Sequence, residues 1–279
     1  MNLVDEFLTW AERDRMRSPH TIRRYRATLK SLAEIADPTT ATIEDVDKWW
    51  NGRIDVVRRD GTVAPRAAAS RSNELACLRT FYRWMTKQDH RPDDPTRRLD
   101  APNVDNAFPR PIGRADLARA LESCDERNVP EIRRAIALGA YGGLRVSEAA
   151  TLTWADVDMD SRMIYIRGKG RKERISGLSS KLLDEILPVI QGGGNVVTAG
   201  GRTYTPDALQ RRVNRHFTAL GIDATFHKLR GRYVTQGISD TGDIYAVARA
   251  VGWASIETAK SYAALSDDAL HRIADAASR

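Results

Sequence analysis

Apolar side chains recur at three- and four-residue intervals through roughly the first hundred residues, which predicts four helices and no strand in this part of the chain. The second helix should open at Ser18-Pro19, a capping serine followed by proline at the first helical position, and run to about Ala36. The third is expected over residues 43–50, and the fourth should open at Pro65. The stripes of the first and fourth helices comprise Leu3, Phe7, Leu8 and Ala11, and Leu75, Leu78, Phe81, Tyr82 and Met85.

The pattern changes over residues 91–111, a segment rich in proline and aspartate that is typical of an extended linker. Helical spacing then resumes over about 113–125 and 128–141. Alternating apolar and polar residues predict a small antiparallel sheet with strands at 156–158, 163–167 and 173–176. Further helices are expected from Thr205-Pro206, near Phe226, Asp243 and Ser255, and over 266–277.

These elements predict a mainly α protein with one small antiparallel β-sheet. We expect a helical domain over residues 1–95, a linker over residues 96–111 and an α+β domain over residues 112–279. A chain of 279 residues is long enough for two domains, each with its own hydrophobic core.

The composition is that of an ordinary globular protein, with 42% apolar and 29% charged residues. The net charge of +7, from 44 basic and 37 acidic residues, is compatible with DNA binding but does not demand it. Cys77 and Cys124 are far apart and predict buried free thiols rather than a disulfide or a metal site. Because no apolar run reaches the ~18 residues of a membrane span and the amino terminus lacks a secretory signal, we expect no membrane association and a cytoplasmic location.

The second and fourth helices carry unusually basic outward faces. Arginine suits bidentate contacts with phosphate, and the serine and asparagine among these residues can bond to phosphates or base edges. Taken alone, the pattern is explained equally well by solvated arginine faces; a neighbouring catalytic domain favours DNA. The predicted DNA-binding residues here are His20, Arg23, Arg24, Arg66, Ser70, Arg71 and Asn73, and the same faces include Tyr25, Arg26, Arg79 and Arg83.

A set of residues in the C-terminal part indicates phosphoryl transfer without a metal or another cofactor. Its members, in chain order, are Arg145, Lys169, His227, Arg230, Trp253 and Tyr262. Two arginines can neutralise the non-bridging oxygens of a phosphodiester, a tyrosine can attack phosphorus, and a histidine can accept the phenolic proton. A lysine at a glycine-flanked hairpin tip can protonate the leaving oxygen. Glu148, three residues after Arg145, is expected to hold the arginine or the histidine in place.

Each member of this set has an ordinary explanation when it is considered alone. Single arginines are mostly surface charges, a His-x-x-Arg pattern arises by chance, and a Gly-Lys-Gly turn is common in hairpins. A tryptophan or a tyrosine at helical spacing is usually a core residue. The order and spacing of the whole set favour the catalytic interpretation.

The set resembles the active site of the tyrosine recombinase family, which includes phage integrases, Xer recombinases and Cre-like enzymes. The most specific parts are Gly-Gly-Leu-Arg-Val-Ser-Glu at 142–148, the Gly-Lys-Gly hairpin at 168–174, His227 to Arg230, and the nine-residue step from Trp253 to Tyr262. The resemblance covers the whole chain and is greatest to a small two-domain phage integrase without an amino-terminal arm-binding domain. It implies a helical core-binding domain followed by an α+β catalytic domain.

The resemblance also implies the role of each residue. Tyr262 would be the nucleophile and Lys169 the general acid, while Arg145, His227 and Arg230 would bind the phosphate and handle protons. Trp253 occupies a position at which the family has His or Trp, and Cre-like enzymes have Trp there. An indole cannot act as a general acid or base. Residues near the hairpin that are expected to touch DNA are Arg171, Lys172 and Arg174. The hairpin also departs from the family by continuing into Ile-Ser-Gly-Leu, where Val-Pro-Leu is usual.

In such enzymes a 3′-phosphotyrosine intermediate and a Holliday junction are formed on double-stranded DNA core sites. The resemblance implies a homodimer on one site, a homotetramer when two sites pair, and a nucleoid-associated enzyme in a bacterial cytoplasm that can work with a directionality factor. An apolar stripe in the tail, Leu270, Ile273, Ala274 and Ala277, suits docking onto a neighbouring copy or packing on its own domain.

The biological setting that we expect is integration and excision of a phage or prophage. The sequence leaves open a Xer-type chromosome-dimer resolvase or a transposon recombinase. A type IB topoisomerase shares much of this chemistry but acts as a monomer with little site preference. A DNA-binding regulator without catalytic activity is a further alternative, against which the complete residue set argues.

Overall fold

The computed structural model describes residues 2–57, 60–104, 110–167, 173–187, 194–253, 255–256 and 262. The chain divides into two compact units, residues 1–106 and residues 107–279. Within the described residues no helix combines the length and the apolar character needed to cross a membrane.

The described residues of the first unit form four helices, α1 (Leu3–Arg13), α2 (Pro19–Leu32), α3 (Ile43–Asn51) and α4 (Ala68–Lys87). Side-chain caps set three of the starts: Asn2 accepts from Asp5, Ser18 from Thr21, and Thr42 forms a reciprocal capping box with Asp45. The predicted opening of α2 at Ser18-Pro19 is confirmed, although the helix ends at Leu32, four residues before Ala36. The core is aromatic, with the rings of Phe7 and Phe81 meeting edge to face at 5.1 Å.

The expectation that this unit contains no strand is wrong. A small antiparallel hairpin joins α3 to α4, formed by β1 (Asp55–Val57) and β2 (Val63–Pro65). Pro65 therefore ends a strand, and α4 begins at Ala68. The strands are three residues long and exposed, so no apolar alternation marks them in the sequence. The local signal was Asp60-Gly61, where the Asp60 carboxylate accepts from the Thr62 N–H and hydroxyl.

The second unit begins with α5 (Arg114–Glu126), α6 (Pro130–Gly142) and α7 (Val146–Thr151). The predicted small antiparallel sheet is confirmed, in the order β3 (Val157–Asp158), β4 (Met163–Arg167) and β5 (Glu173–Gly177). Residues 154–156 form a 3-10 turn before β3 rather than part of a strand. The other elements within the described residues are α8 (Ser180–Ile186), the short pair β6 (Thr198–Ala199) and β7 (Arg202–Thr203), α9 (Pro206–Ala219), α10 (Phe226–Thr241) and α11 (Ile244–Val251).

Helix α6 is the central element of the second unit, since nearly all its side chains are buried. It packs against α5, α7, α8, α9 and α10. A Cβ added at Gly139 would lie 3.0 Å from Leu229 Cβ, so glycine lets α10 approach closely. The last turn of α6 therefore lies beside the first half of α10.

The loop after α6 depends on glycine in the Gly142-Gly143 pair. Gly143 caps the helix with φ of +65°, in the left-handed region. A Cβ at Gly143 would lie 2.5 Å from Cδ1 of Tyr233, a side chain of α10. Both conformation and space therefore demand glycine here, and the tight turn delivers Arg145 to the start of α7.

Both cysteines are buried and free, as predicted. Burial raises the pKa of Cys124 to about 12, so this thiol is not ionised near neutral pH. Cys124 Sγ lies 3.4 Å from His216 Nε2, and both groups face the Ala120 carbonyl oxygen. The pair belongs to the core of the second unit.

Candidate active site

Arg145 and Glu148 make a double contact at the start of α7. The Arg145 backbone N–H donates to Glu148 Oε2 at 2.7 Å, and its guanidinium donates to Oε1 at 2.8 Å. The Arg145 side chain is 43% exposed, whereas that of Glu148 is 4% exposed. The carboxylate thus holds one edge of the guanidinium, while much of the side chain stays exposed to solvent. The predicted support of Arg145 by Glu148 has a direct structural basis in these contacts.

The same carboxylate faces two further arginines. Arg174, on β5, donates to Glu148 Oε2 at 2.7 Å, and Arg230, on α10, lies 3.9 Å from that oxygen. Burial acts to raise the pKa of Glu148, but the Arg145 N–H and the guanidinium charges of Arg174 and Arg145 outweigh it, so the pKa lies below its ordinary value. One buried anion therefore balances part of the charge of three cations and keeps them close together.

Arg230 is almost completely buried and links the ends of two helices. Its guanidinium donates to the carbonyl oxygen of Gly143, after α6, and to that of Val251, at the end of α11. Burial, reinforced by the nearby Arg145 charge, lowers the pKa of Arg230 to about 10, which still leaves it charged at neutral pH. The side chain brings positive charge into the interior with its geometry fixed by backbone acceptors.

His227 lies one helical turn before Arg230 on α10, as their three-residue spacing predicted. The residue reaches solvent, unlike Arg230. Desolvation and the positive charges of Arg230 and Arg145 lower the pKa of His227 from its usual 6.5. The imidazole is therefore neutral at physiological pH and able to accept a proton.

The C-terminal end of α11 accepts hydrogen bonds from all three arginines. Arg174 donates to the Ala250 oxygen, Arg230 to the Val251 oxygen, and Arg145 to the Gly252 oxygen at 3.4 Å. The last carbonyls of a helix have no partner within it and carry partial negative charge, so guanidinium groups satisfy them well. Three consecutive carbonyls thereby join α7, β5 and α10 to α11.

Tyr262 is buried, with 5% of its surface exposed, and packs with the aliphatic side chains of α10 and α11. Its ring centroid lies 5.3 Å from that of Trp253. A Cβ at Gly231, the residue after Arg230, would lie 3.8 Å from the phenolic oxygen. Burial raises the pKa of Tyr262, while the Arg230 charge acts in the opposite direction. The phenol is therefore protonated at neutral pH and lies beside the arginine cluster.

The structure thus brings five of the six predicted catalytic side chains, together with Glu148, into one region of the second unit. Lys169, Arg171 and Lys172 lie outside the described residues, as do the predicted helix over 266–277 and its apolar tail residues. The site contains two features that the sequence did not indicate. These are the inward orientation of Arg174 and the row of carbonyl acceptors at the end of α11.

The predicted DNA-binding residues of the first unit fall into two groups. Those at the surface include His20, Arg23, Ser70 and Asn73, with Arg24 partly covered. Arg66 instead shares the Glu74 carboxylate with Arg53, at 2.7 and 3.2 Å, and Arg71 stacks over Trp50 with its guanidinium carbon 4.1 Å from the ring centroid. Tyr25 is buried rather than outward-facing, because it packs on Phe7 in the core.

In the described part of the chain no group of three or more His, Cys, Asp or Glu side chains is arranged to hold a metal ion. The donors that converge at the site are guanidinium and imidazole nitrogens. Such groups bind oxyanions.

Comparison with known proteins agrees with this geometry. Residues 114–269 match the Phage integrase family, and residues 4–89 match the Phage integrase, N-terminal SAM-like domain. Tyrosine recombinase XerC of Rhodospirillum centenum is 30% identical, over 91% of this chain and 80% of the relative.

Two solved structures share the fold. A lambda integrase (75–356) dimer bound to a COC′ core site has a TM-score of 0.73 at 17% identity, with 94% of each chain covered. A lambda integrase tetramer bound to a Holliday junction also has a TM-score of 0.73, at 16% identity, with 93% of this chain and 76% of the other covered. From the match over more than half of its length, the chain belongs to the phage integrase family of tyrosine recombinases, enzymes that cleave and rejoin DNA in site-specific recombination.

Proposed function

We propose that this enzyme recombines double-stranded DNA at short core sites through a covalent bond between Tyr262 and the 3′ phosphate. The observation that carries the assignment is the position of the Tyr262 phenol beside Arg230, within a cluster that also holds Arg145 and His227. A nucleophile, two guanidinium groups and a neutral imidazole are the parts that metal-free attack on a phosphodiester needs.

The two arginines are proposed to bind the non-bridging oxygens of the scissile phosphate. Arg145 is suited to the first contact because its side chain is held by Glu148 and the Gly252 oxygen and is still 43% exposed. Arg230 supplies a buried charge whose direction is fixed by two backbone oxygens. Negative charge that grows on the oxygens in the transition state is thereby stabilised by donors that need not reorganise.

The proton of Tyr262 is proposed to leave toward His227, which is neutral at physiological pH. The phenolic oxygen then forms a bond to phosphorus while the bond from phosphorus to the 5′ oxygen breaks. Lys169 is proposed to protonate that leaving oxygen and yield a free 5′-hydroxyl. Trp253 would pack against the tyrosine and offer one N–H donor, since an indole cannot accept or release a proton in this pH range.

Strand exchange is the reverse reaction with a different hydroxyl. The 5′-hydroxyl of a partner duplex attacks the phosphotyrosine, the new phosphodiester forms and the phenol leaves. The number of phosphodiester bonds is conserved, so no nucleotide hydrolysis is required. Two such exchanges, in turn, make and resolve a Holliday junction, in line with the lambda integrase tetramer that shares this fold.

The assembly is proposed to be a homodimer on one core site and a homotetramer when two sites pair. The basic faces of α2 and α4, with the hairpin residues Arg171 and Lys172, are proposed to follow the DNA backbone, whereas the predicted DNA contact of Arg174 is not retained because its side chain is turned inward. The domain division at residues 1–95, 96–111 and 112–279 is part of this proposal, as are a directionality factor and a location on the bacterial nucleoid.

For the biological setting we propose integration and excision of a phage or prophage. A second candidate, resolution of chromosome dimers, is favoured by the similarity to XerC at 30% identity. The positions of the cleaved sites distinguish them: sites beside the gene support integration, and a single chromosomal site far from the gene supports dimer resolution.

In the decisive experiment the protein is incubated in EDTA with two sets of supercoiled plasmids that carry host DNA. One set contains the sequence flanking this gene, and the other does not. The reaction is stopped with SDS, and DNA linked to protein is isolated and sequenced. We expect a covalent adduct with the wild type and none with Tyr262→Phe, which should bind the same DNA.

Tyr165→Phe is the matched control, because Tyr165 lies exposed on β4, and it should form the adduct normally. An adduct in Tyr262→Phe would overturn the assignment of the nucleophile. Sequence-specific binding by the wild type without any adduct would favour a DNA-binding protein that does not cleave.

A further inference from the structure

Arg174 differs from its neighbours on β5 in the exposure of its side chain. Glu173 and Ile175 are exposed, whereas the Arg174 side chain is only 10% exposed. Alternation along the strand places Arg174 on the same sheet face as the buried Ser176. The residue was expected to reach DNA, but the contacts of its guanidinium are internal.

These contacts join three elements of the second unit. From β5, Arg174 donates to Glu148 on α7 at 2.7 Å and to the Ala250 carbonyl oxygen on α11. Its aliphatic part packs on Gly252, where a Cβ would lie 2.6 Å from Arg174 Cδ. Gly252 has φ of +66°, so glycine is required there by conformation as well as by this side chain.

One acceptor of Arg174, Glu148, also holds Arg145, and the other, the Ala250 oxygen, directly precedes the carbonyls that accept from Arg230 and Arg145. Glu148 holds the Arg145 guanidinium through its other oxygen. The carbonyls that follow Ala250, those of Val251 and Gly252, accept from Arg230 and Arg145. Loss of Arg174 would leave Glu148 with one fewer donor and the Ala250 oxygen without its side-chain partner. Both supports of Arg145, and one support of Arg230, would then be free to shift.

We propose that Arg174 is a positioning residue that holds Glu148 and the end of α11 in register, and so orients Arg145 and Arg230 toward the scissile phosphate. The inference rests on the proposed function, because it assigns the phosphate to these two arginines. Arg174 itself touches neither the phosphate nor the nucleophile in this scheme. Its effect is on the geometry of the groups that do.

The test compares Arg174→Met, which keeps most of the volume and removes the charge, with Arg174→Lys and with Arg167→Met. Arg167 is the matched control: it lies on the paired strand β4, contacts one carboxylate, that of Asp156, at 2.8 Å, and is 72% exposed. Single-turnover formation of the covalent adduct is measured on a short duplex that contains the cleavage site mapped with the wild type. DNA affinity and thermal unfolding are measured on the same preparations.

We expect Arg174→Met to slow adduct formation by up to about 100-fold, because a displacement of about 1 Å in groups that position the substrate can cost that much. Arg174→Lys should recover part of the rate, because one ammonium can bind Glu148 but cannot span to Ala250 as well. Arg167→Met should stay within about twofold of the wild type, because Arg167 is mostly exposed and its partner Asp156 keeps the hydrogen bonds from Thr153. DNA affinity should change little in all three variants.

A duplex with a methylphosphonate at the cleaved position separates positioning from general weakening of the fold. One non-bridging oxygen is replaced by a neutral methyl group in this substrate, so catalysis depends less on arginine orientation. The ratio of wild-type to Arg174→Met rates should therefore fall well below its value on the natural phosphate. A merely destabilised protein would lose the same factor on both substrates.

Thermal unfolding is measured first. If Arg174→Met is unfolded, Arg174→Lys takes its place in every comparison. Equal rates for the Arg174 and Arg167 variants, or an unchanged ratio on the methylphosphonate, would overturn the positioning role. Loss of DNA affinity without a change in the rate of the bound complex would also overturn it and return Arg174 to DNA binding. Failure of the wild type to form any adduct would instead count against the proposed function, so the two failures are distinguishable.

Discussion

Arg145 donates to Glu148 twice, once from its backbone N–H and once from its guanidinium, and this pair fixes both the start of α7 and the direction of an exposed side chain. Glu148 caps the helix by accepting from the Arg145 backbone N–H, and the Arg145 side chain, which has no acceptor of its own, donates to the same carboxylate. Local helix geometry and site geometry are therefore set by the same carboxylate. We therefore expect both stability and activity to depend on Glu148.

Replacing Glu148 by alanine should destabilise the protein by about 3–5 kcal/mol, since it leaves buried arginines without their anion. The free energy of unfolding, from urea titration, measures the loss. Glu122→Ala is the control, because Glu122 is exposed on α5, and we expect a change of less than about 0.5 kcal/mol. A similar loss in both variants would show that the arginine cluster does not depend on this carboxylate.

Gly143→Ala should be disproportionately harmful for a change of one methyl group. The new Cβ would lie 2.5 Å from the Tyr233 ring at a backbone φ of +65°, so we expect a loss of about 1–3 kcal/mol. The midpoint of thermal unfolding is the measurement. Gly113→Ala introduces a Cβ into open space at a negative φ, and it should lie close to the wild type. Equal midpoints for the two variants would contradict the close packing at Gly143.

The rate of adduct formation should fall as the solution is acidified through the pKa of His227. The proposed base works only as neutral imidazole, and the surrounding desolvation and arginine charges lower its pKa from 6.5. The decline should therefore be centred below 6.5. Single-turnover rates between about pH 5 and pH 8 test this.

His227→Gln should be slower at neutral pH and should lose this acid limb. An acid limb centred above 6.5 would contradict the neutral base, and so would a limb that persists in His227→Gln. DNA affinity measured at each pH separates loss of binding from loss of the chemical step.

DNA affinity should fall steeply as salt is raised, because lysine and arginine contacts release counterions from the duplex. Arg23→Gln on the exposed face of α2 should reduce the slope of log K against log salt by about 1. Arg127→Gln, exposed on the C-terminal side of α5, is the control with an equal loss of charge. Equal slopes for both variants would exclude a phosphate contact at Arg23.

Arg71→Gln should behave differently from Arg23→Gln. Because Arg71 lies on the Trp50 ring and donates to the Trp50 carbonyl oxygen, its loss should lower the unfolding free energy by about 1 kcal/mol. Urea unfolding provides the measurement. If only the slope of log K against log salt changed, and not the free energy of unfolding, Arg71 would have a purely DNA-binding role.

Several elements of the fold were predictable because their signals are local. Ser18-Pro19, Thr205-Pro206 and Asp243 each begin a helix as expected, since a capping side chain, followed by proline in the first two, acts within one turn. The strands of the small sheet were located by alternation, and β4 coincides with residues 163–167. The hairpin of β1 and β2 was missed because exposed three-residue strands bury no apolar face and leave no pattern.

The amino-acid sequence by itself determined which chemical groups the protein possesses and which of them share a helical turn, because those relations depend on identity and short spacing. His227 with Arg230, and Arg145 with Glu148, are of this kind. Only the tertiary structure decided that Arg174 turns inward to Glu148, and that three arginines meet the carbonyls of residues 250–252. In those contacts the donor and the acceptor are separated by as many as 107 positions in the sequence. They form because α6 packs against both α7 and α10 and brings these elements to the site.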